Sequence, residues 1–405
     1  MFAKSRRRLN LLLGVVLLLA IDSSAREPIK SPPPTQLKIV RARDLGISFE
    51  GTPGKLNAIT DVPGVEVGYT TLISGEGKLE VGKGPVRTGV TAILPRGHAS
   101  LNDPVYAGFF SLNGNGEMTG TAWVEESGFL EGPIVITNTH SVGVARDAVI
   151  AWLVKQRTGS QTLWSLPVVA ETWDGWLNDI NGFHVKPEDV WHALDAAQGG
   201  AIEEGSVGGG TGMICYEFKG GNGTASRVVS VAVAGGGDPG QEKTSRTYTV
   251  GVFLQANFGR RPQLIIAGVP VGQKIPGQVY KQESGSCIAV VATDAPLLPN
   301  QLKRLARRVS LGLARTGTIS GNSSGDLFIA FSVANPNAAN PDQVIHDVQT
   351  IPNDLMDPLF AGIVQATEEA VVNALIDNRS MTGRDNHRVE ALPHDRLREI
   401  LKRNR

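Results

Sequence analysis

The stretch Glu283-Ser-Gly-Ser-Cys-Ile-Ala-Val-Val-Ala-Thr293, followed by Asp-Ala-Pro-Leu-Leu-Pro299, takes a small polar step straight into a continuous apolar run. Such a run, bounded by turn residues, reads as a buried strand. Ser286 sits at the junction where loop enters core, with Gly285 before it. That position suits a hydroxyl that must be both reachable and rigidly held. It equally suits a plain turn before a strand, so the residue type alone decides nothing.

Working outward, Gln301–Arg315 places Leu302, Leu305, Val309 and Leu313 at helical spacing with basic residues between them, an amphipathic helix. Leu327–Val333 reads as another strand, Leu355–Ile376 as a mostly helical stretch and Glu390–Arg405 as a charged helical tail. On the N-terminal side, Val228–Ala234, Thr249–Leu254 and Gln263–Val269 read as strands, and so do Pro133–Thr137 and Val168–Glu171. Asn57–Gly68 alternates apolar and polar residues across a Pro-Gly turn, a strand signal, and Val90–Leu94 is a short strand. Gly75–Arg87 and Gly108–Gly120 read as glycine-rich loops. Helices are expected over Val144–Arg157 and Lys186–Gln198, the latter opening with Pro187-Glu-Asp, a good helix start. Strands and helices alternate unevenly, which favours a layered α/β sandwich over a doubly wound sheet.

The 405 residues are 41% hydrophobic, enough for a sizeable core, and the 48 glycines and 23 prolines imply many tight turns. Formal charge is +0, so no electrostatic case exists for nucleic acid. Lys4, Arg6, Arg7 and Arg8 precede the apolar run Leu9–Ile21, and Ser23-Ser-Ala25 supplies small residues at a cleavage position. Residues 1–25 therefore read as a secretory signal peptide, too short in its apolar part for a comfortable membrane span. The expected location is secreted or periplasmic, with no stable membrane insertion after signal removal, and residues 26–38 form a Pro-rich extended leader. The two cysteines, Cys215 and Cys287, either pair or stay as free buried thiols, and there is no zinc-type spacing.

Several catalytic templates fail. The one Gly-x-Ser-x-Gly match, Gly321–Gly325, runs into a strand and not a helix, unlike an α/β-hydrolase elbow. The seven histidines show no metal-type pairing, and His140 in Asn138-Thr-His-Ser-Val-Gly143 is the best single candidate among them. The glycines of Val207–Gly212 lack the lysine of a phosphate loop. A serine without a histidine base needs another proton acceptor, and a free α-amine, with pKa near 7.7–8.0, serves when the serine is itself N-terminal. Cleavage between Gly285 and Ser286 would create base and nucleophile together. A second cluster, Ser320-Gly-Asn-Ser-Ser-Gly-Asp326, packs hydroxyls and an acid at the mouth of a strand, with Ser324 and Asp326 on the same side of an extended chain.

These residues lead to a resemblance. Residues 284–302, Ser-Gly-Ser-Cys-Ile-Ala-Val-Val-Ala-Thr-Asp-Ala-Pro-Leu-Leu-Pro-Asn-Gln-Leu, strongly resemble the processing site of the DmpA/BapA-type peptidases, the L-aminopeptidase/D-esterases and β-peptidyl aminopeptidases. Asn57–Gly68, Asn138–Gly143, Glu171–Gly182, Gly208–Gly212, Gly220–Arg227, Gln255–Arg261, Gly321–Asp326 and Met381–Leu397 resemble the same family in the same order. The resemblance implies an αββα four-layer sandwich like that of N-terminal nucleophile hydrolases. It implies one peptidase domain over 26–405, self-cleaved into an α chain 26–285 and a β chain 286–405, and assembled as a homotetramer. It assigns Ser286 as nucleophile, Ser324 and Asp326 to tuning the nucleophile and its amine, Asn257 to the oxyanion hole and Glu171 to the substrate's amino group. Trp173 stands where family members carry a tyrosine of the site. Substrates would be small peptides or aminoacyl amides and esters, and no metal or organic cofactor is implied. Two rivals remain: an acyltransferase like the ornithine acetyltransferases, which calls for a threonine nucleophile, and a non-catalytic binding relative.

Overall fold

The computed structural model describes residues 40–156, 162–232, 245–277 and 285–404. The expected signal peptide and leader, Arg157, Val233, Ala234, Glu283 and Ser284 lie outside the described residues. In chain order the strands are β1 (Glu66–Ser74), β2 (Val86–Leu94), β3 (Val105–Gly114), β4 (Phe129–Leu130), β5 (Ile134–Asn138), β6 (Val168–Thr172), β7 (Ile214–Cys215), β8 (Phe218–Lys219), β9 (Gly221–Ala232), β10 (Ser245–Asn257), β11 (Gly285–Thr293), β12 (Ser324–Ser332), β13 (Met381–Thr382) and β14 (Arg388–Val389). The helices are α1 (Thr121–Ser127), α2 (Val142–Gln156), α3 (Pro187–Asp195), α4 (Val271–Lys274), α5 (Pro299–Arg315), α6 (Asp357–Ile376) and α7 (His394–Arg403).

Two mixed sheets carry the architecture. One has the order β1-β2-β5-β6 and the other β4-β3-β12-β11-β10-β9, with β5–β6 and β11–β12 parallel and the remaining neighbours antiparallel. Strand β11 lies inside the larger sheet, and all nine of its residues are buried. Its alternating side chains serve two different layers, as the period of two requires. Ile288, Val290 and Ala292 pack between the sheets with Val67, Ile93, Ile136, Ala170, Phe253 and Phe331. Cys287, Ala289 and Val291 face α5 and α6, where Leu302, Leu305, Val309, Leu313, Ile363 and Ala370 meet them. On the far side, α2 and α3 cover the smaller sheet through Val149, Trp152, Val190 and Leu194 against Val90, Ala92 and Val135. The result is four layers, αββα, and a strand buried on both faces must read as an unbroken apolar run.

Helix α5 starts at Pro299 in its first turn and buries the four residues expected of its apolar face. Helix α6 is long and apolar enough to cross a membrane, yet 83% of its most apolar window is buried against the sheet and α5. Some local expectations fail. Gln263–Val269 is not a strand, because Ala267 and Gly268 both take positive φ and close a tight turn between Ile266 and Val269. Ile59–Asp61 forms a 3-10 turn, so the strand begins only at Glu66. The glycine-rich run from Gly108 is strand as far as Gly114, where β3 pairs with β12. The glycines at 208–210 are buried in a 3-10 turn wedged at the seam of the two sheets. A Cβ on Gly209 would stand 2.3 Å from Gln255 Oε1 and 2.7 Å from the Ile136 carbonyl oxygen, so this run is a packing device.

Candidate active site

Ser286 is the second residue of β11 and is buried. Its parity with Ile288 and Val290 turns its side chain towards the layer between the sheets, at the end where apolar packing gives way to polar groups. Asn257 ends β10 and stands directly opposite Ser286 in the antiparallel register. Asn257 shares its parity with Phe253 of the same layer, so the Ser286 hydroxyl and the Asn257 amide form a cross-strand pair. The amide is fixed at both ends: its Oδ1 accepts from the Ile214 N–H at 2.8 Å, and its Nδ2 donates to the Trp173 carbonyl at 2.8 Å. These partners determine which way the amide faces, and they use one of the two Nδ2 hydrogens.

The smaller sheet contributes Glu171 and Trp173. Glu171 lies at the end of β6 and is almost wholly buried. Its carboxylate accepts from the Glu117 backbone N–H at 3.0 Å and from the Thr139 hydroxyl. No lysine or arginine pairs with it among the described residues. Burial pushes its pKa up, partly offset by the Thr139 and Glu117 donors and by nearby His140. A buried carboxylate with donors but no cation is a ready counter-ion for an incoming ammonium. Gly116 is the spacer between Glu171 and the strand beside Ser286. A Cβ there would lie 3.2 Å from both Glu171 Oε1 and the Cα of Gly325, the residue paired with Ser286. The half-buried Trp173 lays its indole over Gly175 while its carbonyl is taken by Asn257.

Ser324 and Asp326 meet as their spacing implies, with the Ser324 hydroxyl donating to Asp326 Oδ1 at 2.8 Å, both buried. Their alternation places them on the helix side of β12, where Asp326 helps to raise the pKa of the buried Cys287 thiol, after burial itself. The register pairs Ser324 with Gly285 and Asp326 with Cys287. The pair therefore brackets the backbone of the Gly285–Ser286 link, and the Ser286 side chain leaves from the opposite face. Both cysteines are buried and they do not form a disulfide. No group of three or more His, Cys, Asp or Glu suited to a metal occurs among the described residues.

His140, the lone histidine candidate, is exposed and stacks on Phe183, while its neighbour Thr139 makes the contact with Glu171. The sequence offers no signal for Thr139, whose contact with Glu171 is set by the fold. Sequence reasoning also missed Gly116 and the Ile214 N–H, because a spacer and a backbone donor carry no side-chain signature.

A family profile described as Peptidase family S58 matches residues 57–389. The chain is 52% identical over 381 residues to the β-peptidyl aminopeptidase BapA of Sphingosinicella microcystinivorans, covering 90% of this chain and 92% of that protein. Among solved structures it is similar to an L-aminopeptidase D-Ala-esterase/amidase from Ochrobactrum anthropi, described as a prototype for the serine aminopeptidases and a variant of the Ntn hydrolase fold. That match has TM-score 0.81 and 49% identity over 90% of this chain and 98% of the other. A β-aminopeptidase from a Burkholderia species superposes with TM-score 0.80 and 46% identity, covering 90% and 99% of the two chains.

Proposed function

The chain belongs to peptidase family S58, and from that premise we propose that it is a self-processing serine aminopeptidase and amidase. It releases N-terminal residues from small peptides, amides or esters. The observation that carries the reading is the Ser286–Asn257 pair, whose amide holds the Trp173 carbonyl two residues after the buried Glu171, a carboxylate with no lysine or arginine partner among the described residues. A free amino group at Glu171 fixes the substrate by its N-terminus, so attack falls on the first carbonyl and not within a chain.

In the proposed mechanism the precursor first cleaves itself. Ser286 Oγ attacks the Gly285 carbonyl, the C–N bond to Ser286 breaks, and water resolves the resulting ester to leave an α chain ending at Gly285 and a β chain starting at Ser286. The freed amine, bracketed by Ser324 and Asp326, then takes the proton from Ser286 Oγ as that oxygen attacks a substrate carbonyl. The second Nδ2 hydrogen of Asn257 stabilises the oxyanion. The leaving amine or alcohol receives the proton, and water attacks the acyl-enzyme to release the amino acid and regenerate Ser286.

The names of the relatives span L-, D- and β-aminoacyl substrates, so the class is set by the ammonium and the bond cleaved, with the preference left to the pocket around Trp173. Export is part of the same reading: Lys4–Arg8, the apolar run Leu9–Ile21 and Ser23-Ser-Ala25 support removal of residues 1–25 and a secreted or periplasmic enzyme. A homotetramer of processed units completes it. Denaturing gels should show two fragments split before Ser286, and light scattering should return four αβ units. N-terminal sequencing of the exported protein should begin near residue 26. A Ser286→Ala protein that still split, and still hydrolysed L-Ala, D-Ala and β-Ala p-nitroanilides, would end the proposal.

A further inference from the structure

Lys219 is fully buried on β8, an unusual place for an ammonium. Among the described residues no carboxylate pairs with it. Its Nζ donates to two backbone carbonyls, Met213 and Gly220, both at 2.8 Å. Burial lowers its pKa to about 7, with the neighbouring Cys215 acting the other way. Taking this group out of water without a counter-charge is costly, and a Met or Leu would fill the same space at no such cost. The proposed chemistry makes no use of it.

Its position suggests what offsets the cost. The Met213 carbonyl that Lys219 holds belongs to the same peptide unit as the Ile214 N–H, and that N–H donates to Asn257 Oδ1. A peptide unit is planar and trans, so clamping its oxygen aims its N–H in the opposite direction. The Asn257 amide is planar too, so gripping its oxygen sets the direction of its nitrogen. A chain of hydrogen bonds thus runs from Lys219 through two planar amides to Nδ2, opposite Ser286. In a buried setting each link polarises the next, strengthening the terminal donor.

We propose that Lys219 is a positioning residue for the oxyanion donor: its amino group clamps the Met213–Ile214 peptide, which holds the Asn257 side chain at the nucleophile. This rests on the reading of Asn257 given above, and the test separates the two. Processed wild type, Lys219→Met, Lys219→Gln, Asn257→Ala and Lys219→Met/Asn257→Ala are compared on an aminoacyl p-nitroanilide, with rates normalised to the processed chain. Lys219→Met is expected to lower kcat on the order of tenfold, with KM changed less than about threefold, and to cost under about twofold once Asn257 is already Ala. Lys219→Gln, which keeps an N–H donor, should recover part of the loss. An unchanged kcat in Asn257→Ala would overturn the assignment of Asn257 itself. An equal cost of Lys219→Met with and without Asn257 would overturn the clamp alone, and so would a wild-type kcat in Lys219→Met. Failure of both Lys219 single variants to fold would make the residue purely structural and overturn the clamp as well.

Discussion

Gly285→Ala should separate self-cleavage from turnover. A Cβ on Gly285 would lie 1.9 Å from the Asn257 carbonyl oxygen, 2.9 Å from its carbon and 3.0 Å from the Phe258 Cα. All three are backbone atoms, so no rotamer relieves the overlap. Real Cβ contacts begin near 3.0 Å, so β10 and β11 must separate by about 1 Å where Asn257 faces Ser286. Misplacement by about 1 Å between reacting groups costs on the order of 10²-fold in rate. The precursor should therefore split roughly a hundredfold more slowly, followed as two fragments appearing on denaturing gels against time. Once cleaved, residue 285 is a chain end free to leave the strand, so kcat per processed molecule should match wild type. Wild-type splitting in a Gly285→Ala protein of unchanged thermal stability would refute the reasoning.

Other outcomes follow from the same geometry. Asn257→Ala should reduce kcat by about 10²–10³, the usual loss for one oxyanion donor, in steady-state assays of processed enzyme. Glu171→Gln should weaken capture of the substrate amine by roughly 2–5 kcal/mol, seen mainly as a higher KM. Because burial raises the Glu171 pKa, affinity in the wild type is present above that raised pKa and lost as pH falls through it. The loss should come at higher pH than for an exposed glutamate, and Ki of an amine-bearing competitive inhibitor against pH should show the limb, absent in Glu171→Gln. Lys219 has its own pH signature. Between its folded pKa of about 7 and the ordinary 10.5, the unfolded chain binds the extra proton, so stability rises with pH. The slope is up to about 1.4 kcal/mol per pH unit from this one group, and denaturant titrations should find that part missing in Lys219→Met.

Much of the molecule was legible before any coordinates. The run Cys287–Thr293 is apolar at every step but the last because helices cover one face of β11 and the second sheet covers the other. The apolar spacing of Leu302, Leu305, Val309 and Leu313 likewise survives intact as the buried face of α5. Ser324 and Asp326 share a face because an extended chain repeats every two residues. Local pattern failed where long-range contact overrode it. Gln263–Val269 has strand composition but turns back on itself through two positive-φ residues, and 208–210 has the glycines of a ligand loop but fills a seam.

By itself, the sequence determined the layered α/β class and the buried strand that Ser286 opens, since these depend on neighbours close along the chain. Only the tertiary structure decided that the Trp173 carbonyl of one sheet's end holds Asn257 of the other, and that Gly116 stands between Glu171 and Gly325, the strand neighbour of Ser286. It alone placed Ser324 and Asp326 beside the Gly285–Ser286 backbone and not beside the serine hydroxyl, a matter of register between strands some forty residues apart. The grip on Asn257 is written in no motif, because Ile214 contributes a backbone N–H and Lys219 acts on the carbonyl behind it. Backbone groups are the same at every residue, so their roles emerge only when the fold brings them together.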